Sequence, residues 1–306
     1  MSSQRALESC LDRCENAGRD AAPAADVRQL LKLCRDAKVR LPEVVARHGL
    51  RLLERSSKSL KDEELWLIHE QVCLALLDTG DIDEAKKVVL KLSRRFPKSL
   101  RVGVLEGTLC ECCEDFDKAE EIYRAILEEN EVHQGAWKRL SCVYKAKGDT
   151  RDAIDVLKKY LDVFMTDAEA WEELAFLYLS LQMTKQAGFC YEELILIQPQ
   201  NPIHHLRYAD LLYTLSTSST LHLLHQAIGY YGVVLDLTNG SSVHAMYGVL
   251  CCADSIRSQG RGAQGKLGDE EQALVSKVST KLLHLYENNQ ANLVAHVKNT
   301  NLLSSA

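Results

Sequence analysis

The sequence predicts an all-α fold, a superhelical solenoid of stacked antiparallel helix pairs. Three observations predict it. Alanine recurs at one constant interval, at Ala85, Ala119, Ala153 and Ala187. Trp137 and Trp171 recur at the same interval and open a second apolar stripe. Only 5 prolines interrupt 306 residues, few for a chain built on turns and many fewer than strands joined by tight loops would need.

Residues 1–60 read as capping helices without the repeat. Leu7, Cys10, Leu11 and Cys14 make one short stripe, and Val27, Leu30, Leu31 and Cys34 a second. Pro42 opens a third helix at a first-turn position, where its missing N–H costs nothing. Terminal units of stacked arrays are commonly atypical and act as caps.

The array is expected over residues 61–257. Its clear repeats span about 66–99, 100–133, 134–167 and 168–201. Each alanine is followed at +4 by Val89, Tyr123, Leu157 or Tyr191, and at +7 by Leu92, Ile126, Tyr160 or Leu194. That spacing lines one face of a helix. The preceding helix carries Trp137, Leu140, Tyr144 and then Trp171, Leu174, Tyr178, with a small residue after each leucine, Ser141 or Ala175. Between the stripes stand Gly80-Asp81, Glu114-Asp115 and Gly148-Asp149. A glycine there tolerates positive φ, and the following Asp is expected to cap the next helix. Pro97 and Pro199 mark where second helices stop.

A fifth pair places His205, Tyr208, Ala209 and Leu212 on its first helix and Ala227, Tyr231 and Val234 on its second, with a hydroxyl-rich loop inserted near 216–221. A sixth first helix is expected near 241–257. Residues 258–268, with Gly260, Gly262, Gly265 and Gly268, read as a flexible loop. The last segment, 269–306, is expected to hold a helix near 269–289 and a tail.

The stripes resemble the tetratricopeptide consensus, whose period of roughly 34 residues is the interval of the alanines. Trp171, Leu174, Ala175, Tyr178, Ala187, Tyr191 and Pro199 match that consensus best. The small residue and the alanine let two backbones approach, and the aromatics fill the groove between neighbours. Ala85, Ala119, Trp137, Ala153, Trp171, Ala175, Ala187 and Tyr191 are therefore the expected packing residues. One pair cannot bury its apolar face alone, so pairs must stack.

Function is bounded by what the residues offer. The net charge is −6 with no long basic run, which argues against a broad nucleic-acid footprint. Residues 1–5 are not followed by an apolar signal segment, and no stretch reaches the roughly 20 apolar residues of a membrane span. The chain is expected in the cytosol. Its 11 cysteines lie within helical patterns, and reduced thiols filling the core is the expectation for them, including Cys110, Cys112, Cys113, Cys251 and Cys252. His222 and His225 stand three apart, but no second ligand pair has metal-site spacing, so a surface role is expected. No phosphate loop, nucleophile elbow or paired-histidine zinc motif occurs. The expectation is a binding protein, not an enzyme, with no cofactor.

The concave face of such an array is its usual binding surface. By register it carries Glu70, Leu74, Arg101, Thr108, Glu111, Lys138, Cys142, Lys145, Glu172, Phe176 and Leu179. Lys138, Arg139 and Lys145 make a modest basic patch, which is either a site for an acidic peptide or a solvated helix face. Co-chaperones of this class clamp a carboxylate with a Lys and an Asn one helical turn apart, and here Lys138 is followed by Cys142.

Five runs resemble a more specific family, the second subunits of the ER membrane protein complex. They are residues 64–72 (ELWLIHEQV), 94–99 (RRFPKS), 167–175 (DAEAWEELA), 189–194 (FCYEEL) and Tyr208-Ala209-Asp210. The resemblance covers roughly residues 25–255. It implies a non-catalytic scaffold, peripheral on the cytosolic side of the endoplasmic reticulum, in a complex that inserts tail-anchored and multi-pass proteins. It implies partners among the cytosolic parts of subunits three and five and a soluble subunit of the eight/nine type. The competing reading is a free adaptor or co-chaperone that takes short peptide tails.

Overall fold

A computed structural model of the chain describes residues 2–16, 23–56, 60–217, 219–259 and 266–289, together with residue 294. Fifteen helices and no strand occur among the described residues. They are α1 (Ser2–Asn16), α2 (Ala24–Asp36), α3 (Pro42–Ser56), α4 (Asp62–Thr79), α5 (Ile82–Arg95), α6 (Leu100–Cys112), α7 (Phe116–Glu129) and α8 (Gln134–Lys147). There follow α9 (Thr150–Val163), α10 (Ala168–Ser180), α11 (Thr184–Ile197), α12 (Pro202–Leu215), α13 (His222–Leu237), α14 (Val243–Gln259) and α15 (Asp269–Asn289). The first helix of the array starts at Asp62, ahead of the expected repeat start at Trp66. Asp62, Glu63 and Glu64 fill its first turn, where carboxylates offset the helix dipole. The sixth first helix runs past the expected end, to Gln259. Gly260, Gly262, Gly265, Ser218 and nearly all of the tail lie outside the described residues.

The contacts divide the chain into two units, residues 1–156 and 157–306, so the division falls inside α9. In the first unit each helix from α1 to α8 packs on the next, and α4 also touches α6, as α6 touches α8. Its core joins Leu30, Leu31 and Cys34 of α2 to Ile68, Val72 and Leu76 of α4 and Ala85, Val89 and Leu92 of α5. In the second unit α10 to α15 pack in sequence, and α12 also touches α14. Its core joins Tyr208, Ala209 and Leu212 to Ala227, Tyr231, Met246, Val278 and Leu282. Burying each of these larger side chains stabilises the fold by about 1.5–3 kcal/mol.

The small residues make close approach possible. Cys73, Gly107, Ser141, Ala175 and Ala209 follow one another at the interval of the repeat, and all five are buried. Trp137 donates its indole N–H to the Glu131 carbonyl and Trp171 donates to Met165, each at 2.8 Å and each six residues back. His205 takes the same place in the next pair. Its Nε2 lies 2.9 Å from the Pro199 carbonyl, which can only accept, so Nε2 carries the proton.

The turns inside the pairs share one backbone state. Positions 80, 114, 148 and 182 have φ of 79, 61, 84 and 61°. Gly80 and Gly148 adopt this left-handed state without a Cβ, whereas Glu114 and Gln182 hold it at a cost of about 1 kcal/mol each. Glu114→Gly and Gln182→Gly are expected to raise stability by about 0.5 kcal/mol, and Gly148→Ala to lower it by about 1 kcal/mol. Nothing lies within 4 Å of a Cβ built at Gly148, so the loss would come from the backbone alone. Urea titration of the three variants reads this, and a neutral Gly148→Ala would contradict it. Asp follows the first three of these turns and Met183 the fourth, and the capping is uneven. Asp115 accepts from the Lys118 N–H, while Asp81 makes no side-chain cap. Asp167 and Asn201, at the starts of first helices, also cap.

Candidate protein-binding surface

In the first unit the expected surface residues come from α4, α6 and α8. Many of them are engaged with each other. Arg101 of α6 makes a two-point bond to Glu70 of α4, at 3.2 and 2.5 Å. Glu111 accepts from the Tyr123 hydroxyl and from Arg139, the latter at 3.3 Å. The basic patch therefore has one of its three cations tied to Glu111. The same ladder continues toward the N-terminus, where Arg28 of α2 holds Glu64 of α4 and keeps that carboxyl below its usual range. Pairs this exposed add little stability, about 0–1 kcal/mol each, and chiefly fix the register of neighbouring helices.

Thr108 corrects the sequence expectation. It is buried, 5% exposed, and its hydroxyl donates to the Val104 carbonyl beside the Tyr123 hydroxyl. Its position one turn before Glu111 turns it toward α7 rather than outward. Tyr123 is itself wholly buried, and burial first and Glu111 second push its hydroxyl far up, so it stays a neutral donor. Leu74, Lys145 and Cys142 are exposed and Lys138 is half-buried.

Two grooves stand out. The first, of about 480 Å³ in the first unit, has Trp66, Leu67, Leu92, Phe96, Val102 and Leu105 along its floor. Asp62, Glu63, Glu70, Arg95 and Arg101 form the rim. Trp66 meets Phe96 edge to face at 5.4 Å. Its buried indole N–H has no acceptor among the described residues, unlike those of Trp137 and Trp171.

The second groove, of about 730 Å³, belongs to the second unit. Leu161 of α9, Met165 in the turn after it, Trp171, Leu174 and Tyr178 of α10, and Phe189 and Cys190 of α11 line it, with Lys158, Asp162, Lys185 and Glu193 around the mouth. Met165 is 67% and Phe189 53% exposed, unusual for side chains of that size. Sequence reasoning missed this groove because it assigned binding to first helices. The signal was Phe189, an aromatic off the Ala187, Tyr191, Leu194 stripe. Of the expected residues here, Phe176 is 68% exposed, Leu179 is half-buried, and Glu172 lies 3.6 Å from the buried His204 ring. Burial holds His204 below the ordinary histidine range, so it is neutral at pH 7.

The packing residues sit inside. Ala85, Ala119, Ala153, Ala175 and Ala187 are wholly buried and Trp137 nearly so, while Trp171 and Tyr191 are half-buried. The cysteines divide. Cys10, Cys14, Cys34, Cys73, Cys190 and Cys252 are buried, but Cys110 and Cys251 are half-buried and Cys112, Cys113 and Cys142 exposed, which corrects core filling for these five. Cys112 and Cys113 stand at the C-terminus of α6, past the buried stripe of Val102 and Leu105. Burial raises the thiols of Cys73, Cys190 and Cys252 to about 12. Alkylation of the native protein near neutral pH is therefore expected to reach Cys112, Cys113 and Cys142 first and to spare the six buried thiols until denaturant is added. Mass spectrometry counts the adducts, and early modification of Cys73 or Cys190 would contradict the packing. His225 is held by Glu271 at 2.8 Å, and no group of three or more metal-ligating side chains converges among the described residues.

The two grooves combine apolar floors, aromatic side chains and charged rims on packed helices. The family model of the EMC2 TPR-like repeat domain matches residues 89–223. ER membrane protein complex subunit 2 of Xenopus tropicalis is 36% identical over 233 residues, covering 76% of this chain and 77% of the relative. The TPR repeat protein oca3 of Schizosaccharomyces pombe is 32% identical over 220 residues, 72% and 75% of the two chains. The subunit 2 of Dictyostelium discoideum is 29% identical over 285 residues, 88% and 86%. In fold, the C-terminal part of a TPR repeat-containing protein from Cytophaga hutchinsonii superposes with a TM-score of 0.60 at 14% identity, covering 90% of this chain and 99% of that one. With its all-helical pairs, its constant repeat interval and these relatives, the chain belongs to the family of ER membrane protein complex subunit 2.

Proposed function

We propose that this chain is a non-catalytic scaffold subunit of an ER membrane protein complex, peripheral on the cytosolic side, that supports insertion of tail-anchored and multi-pass proteins by holding other subunits. The observation that carries this reading is the 36% identity to subunit 2 relatives over three quarters of both chains. The grooves support it, because they offer apolar floors for helices or extended segments. No described helix is long and apolar enough to cross a membrane, so contact with membrane subunits would run through their cytosolic parts. Those of subunits three and five, and a soluble subunit of the eight/nine type, are the proposed partners.

The test is recovery of the tagged chain from its own cells in mild detergent, read by mass spectrometry. Several ER membrane subunits in near-equal amounts are expected. Recovery of soluble chaperones alone would instead point to a free adaptor.

A further inference from the structure

The outer sides of α3 and α5 hold a concentration of positive charge that runs against the chain's net charge of −6. Residues 82–98 carry six basic side chains, Lys86, Lys87, Lys91, Arg94, Arg95 and Lys98, against Asp83 and Glu84. Ala85, Val88, Val89 and Leu92 of α5 are buried, so the helical period turns its five cations to solvent, and Lys98, past the end of the helix, is exposed as well. On α3 the exposed Arg47, Arg51 and Arg55 stand four residues apart, a single stripe opposite the buried Val45, Ala46 and Leu52, with Glu43 and Glu54 beside them. The two helices share a neighbourhood: both flank α4, and the Lys87 ammonium, stabilised first by its 2.6 Å bond to Glu84, also feels Glu54 of α3. Among the described residues, Arg47, Arg51, Arg55, Lys86, Lys91, Arg94 and Lys98 make no ion pair.

We propose that this α3–α5 face is a docking surface for a membrane whose headgroups are anionic. Charge complementarity names an anionic occupant, and three further features select a lipid surface among anions. The two grooves beside these helices take in only Arg95 of the nine cations, so neither seats a peptide across the basic face. The one Phe, Tyr or Trp in these two stretches is Phe96, half-buried against Trp66 and covered by Arg95, so no open platform is left on which nucleic-acid bases could stack. Leu90, 52% exposed, projects between Lys86, Lys87, Lys91 and Arg94, giving the apolar contact that an interfacial helix makes at the headgroup boundary. Long lysine and arginine stems can reach a diffuse layer of charge without a fixed geometry.

The test uses the purified full chain and vesicles of phosphatidylcholine, with or without about one-third phosphatidylserine. Flotation is expected with the anionic vesicles only, and it should vanish when salt is raised to about 0.5 M. Each basic side chain at such a surface is worth roughly fivefold in partitioning, so the triple variant Lys86→Glu, Lys91→Glu, Arg94→Glu, which also adds three negative charges, should bind at least about a hundredfold less tightly. The variant Arg47→Glu, Arg51→Glu should weaken binding independently, and unchanged thermal melts of both variants separate lost binding from lost fold. Because the whole chain is acidic, flotation on anionic vesicles demands an oriented face. Failure to float, equal flotation on phosphatidylcholine alone, or retained binding in both variants would overturn the proposal. So would capture of polyglutamate or RNA without capture of vesicles. None of these outcomes depends on whether the chain assembles with other subunits.

Discussion

Tyr123→Ala is expected to cost about 3–5 kcal/mol of stability, the range for emptying an aromatic site in a packed core. The ring is wholly buried between α6 and α7, so its removal leaves a cavity that neighbouring helices fill only in part. Its hydroxyl also joins Thr108 and Glu111, and Glu111 in turn holds Arg139 of α8. Tyr123→Phe keeps the ring and removes only the donor, with an expected loss of about 1–3 kcal/mol because the half-buried Glu111 keeps Arg139 as partner. Denaturant titration of the two variants separates packing from hydrogen bonding. Equal losses in both would show that the hydroxyl, not the ring, dominates the junction.

Gly107→Val is expected to cost about 1–3 kcal/mol or somewhat more, although glycine is a poor helix former. A Cβ at Gly107 would lie 2.6 Å from two carbons of the Tyr123 ring and 2.9 Å from its oxygen. Propensity alone predicts the opposite sign, a gain of about 1 kcal/mol for Gly107→Ala in the middle of α6. The clash decides between them, since the ring is anchored at its hydroxyl and has no open side. Gly229 of α13 is the control: nothing lies within 4 Å of its added Cβ, so Gly229→Ala should stabilise by about 0.5–1 kcal/mol. Combining Gly107→Ala with Tyr123→Ala should recover much of the steric loss, because the two side chains compete for one space. If Gly107→Ala proves stabilising in the presence of Tyr123, the approach of α6 to α7 is looser than these distances require.

The helix pairs were legible because burial imposes a period. Ala85, Ala119, Ala153 and Ala187 repeat at one interval because the contact each makes admits nothing larger, and α15 was readable from Val278 and Leu282 for the same reason. The candidate surface was less legible, since solvent imposes no period. Thr108 is polar yet buried, for its hydroxyl is satisfied by a carbonyl four residues back, a bond that no pattern of residue types reveals. Phe189 is apolar yet half in solvent, because its helix face meets a groove. The basic face of α3 and α5 was hidden by its own periodicity: cations three and four residues apart form no run in sequence but share one side of a helix. Cys112, Cys113 and Cys142 looked like core thiols because a cysteine's burial is not written in its neighbours.

The ring N–H bonds at Trp137 and Trp171 give the chain an optical property. Of its three tryptophans, these two each tie the first helix of a pair to the loop six residues before it. Their emission therefore reports on the seams between pairs and only weakly on helix content. Stacked repeats can melt in segments, since each unit leans only on its neighbours. With Trp66 replaced by phenylalanine and one of the two seams silenced in turn, intrinsic fluorescence would time the opening of residues 131–137 and of residues 165–171 separately, with no attached dye.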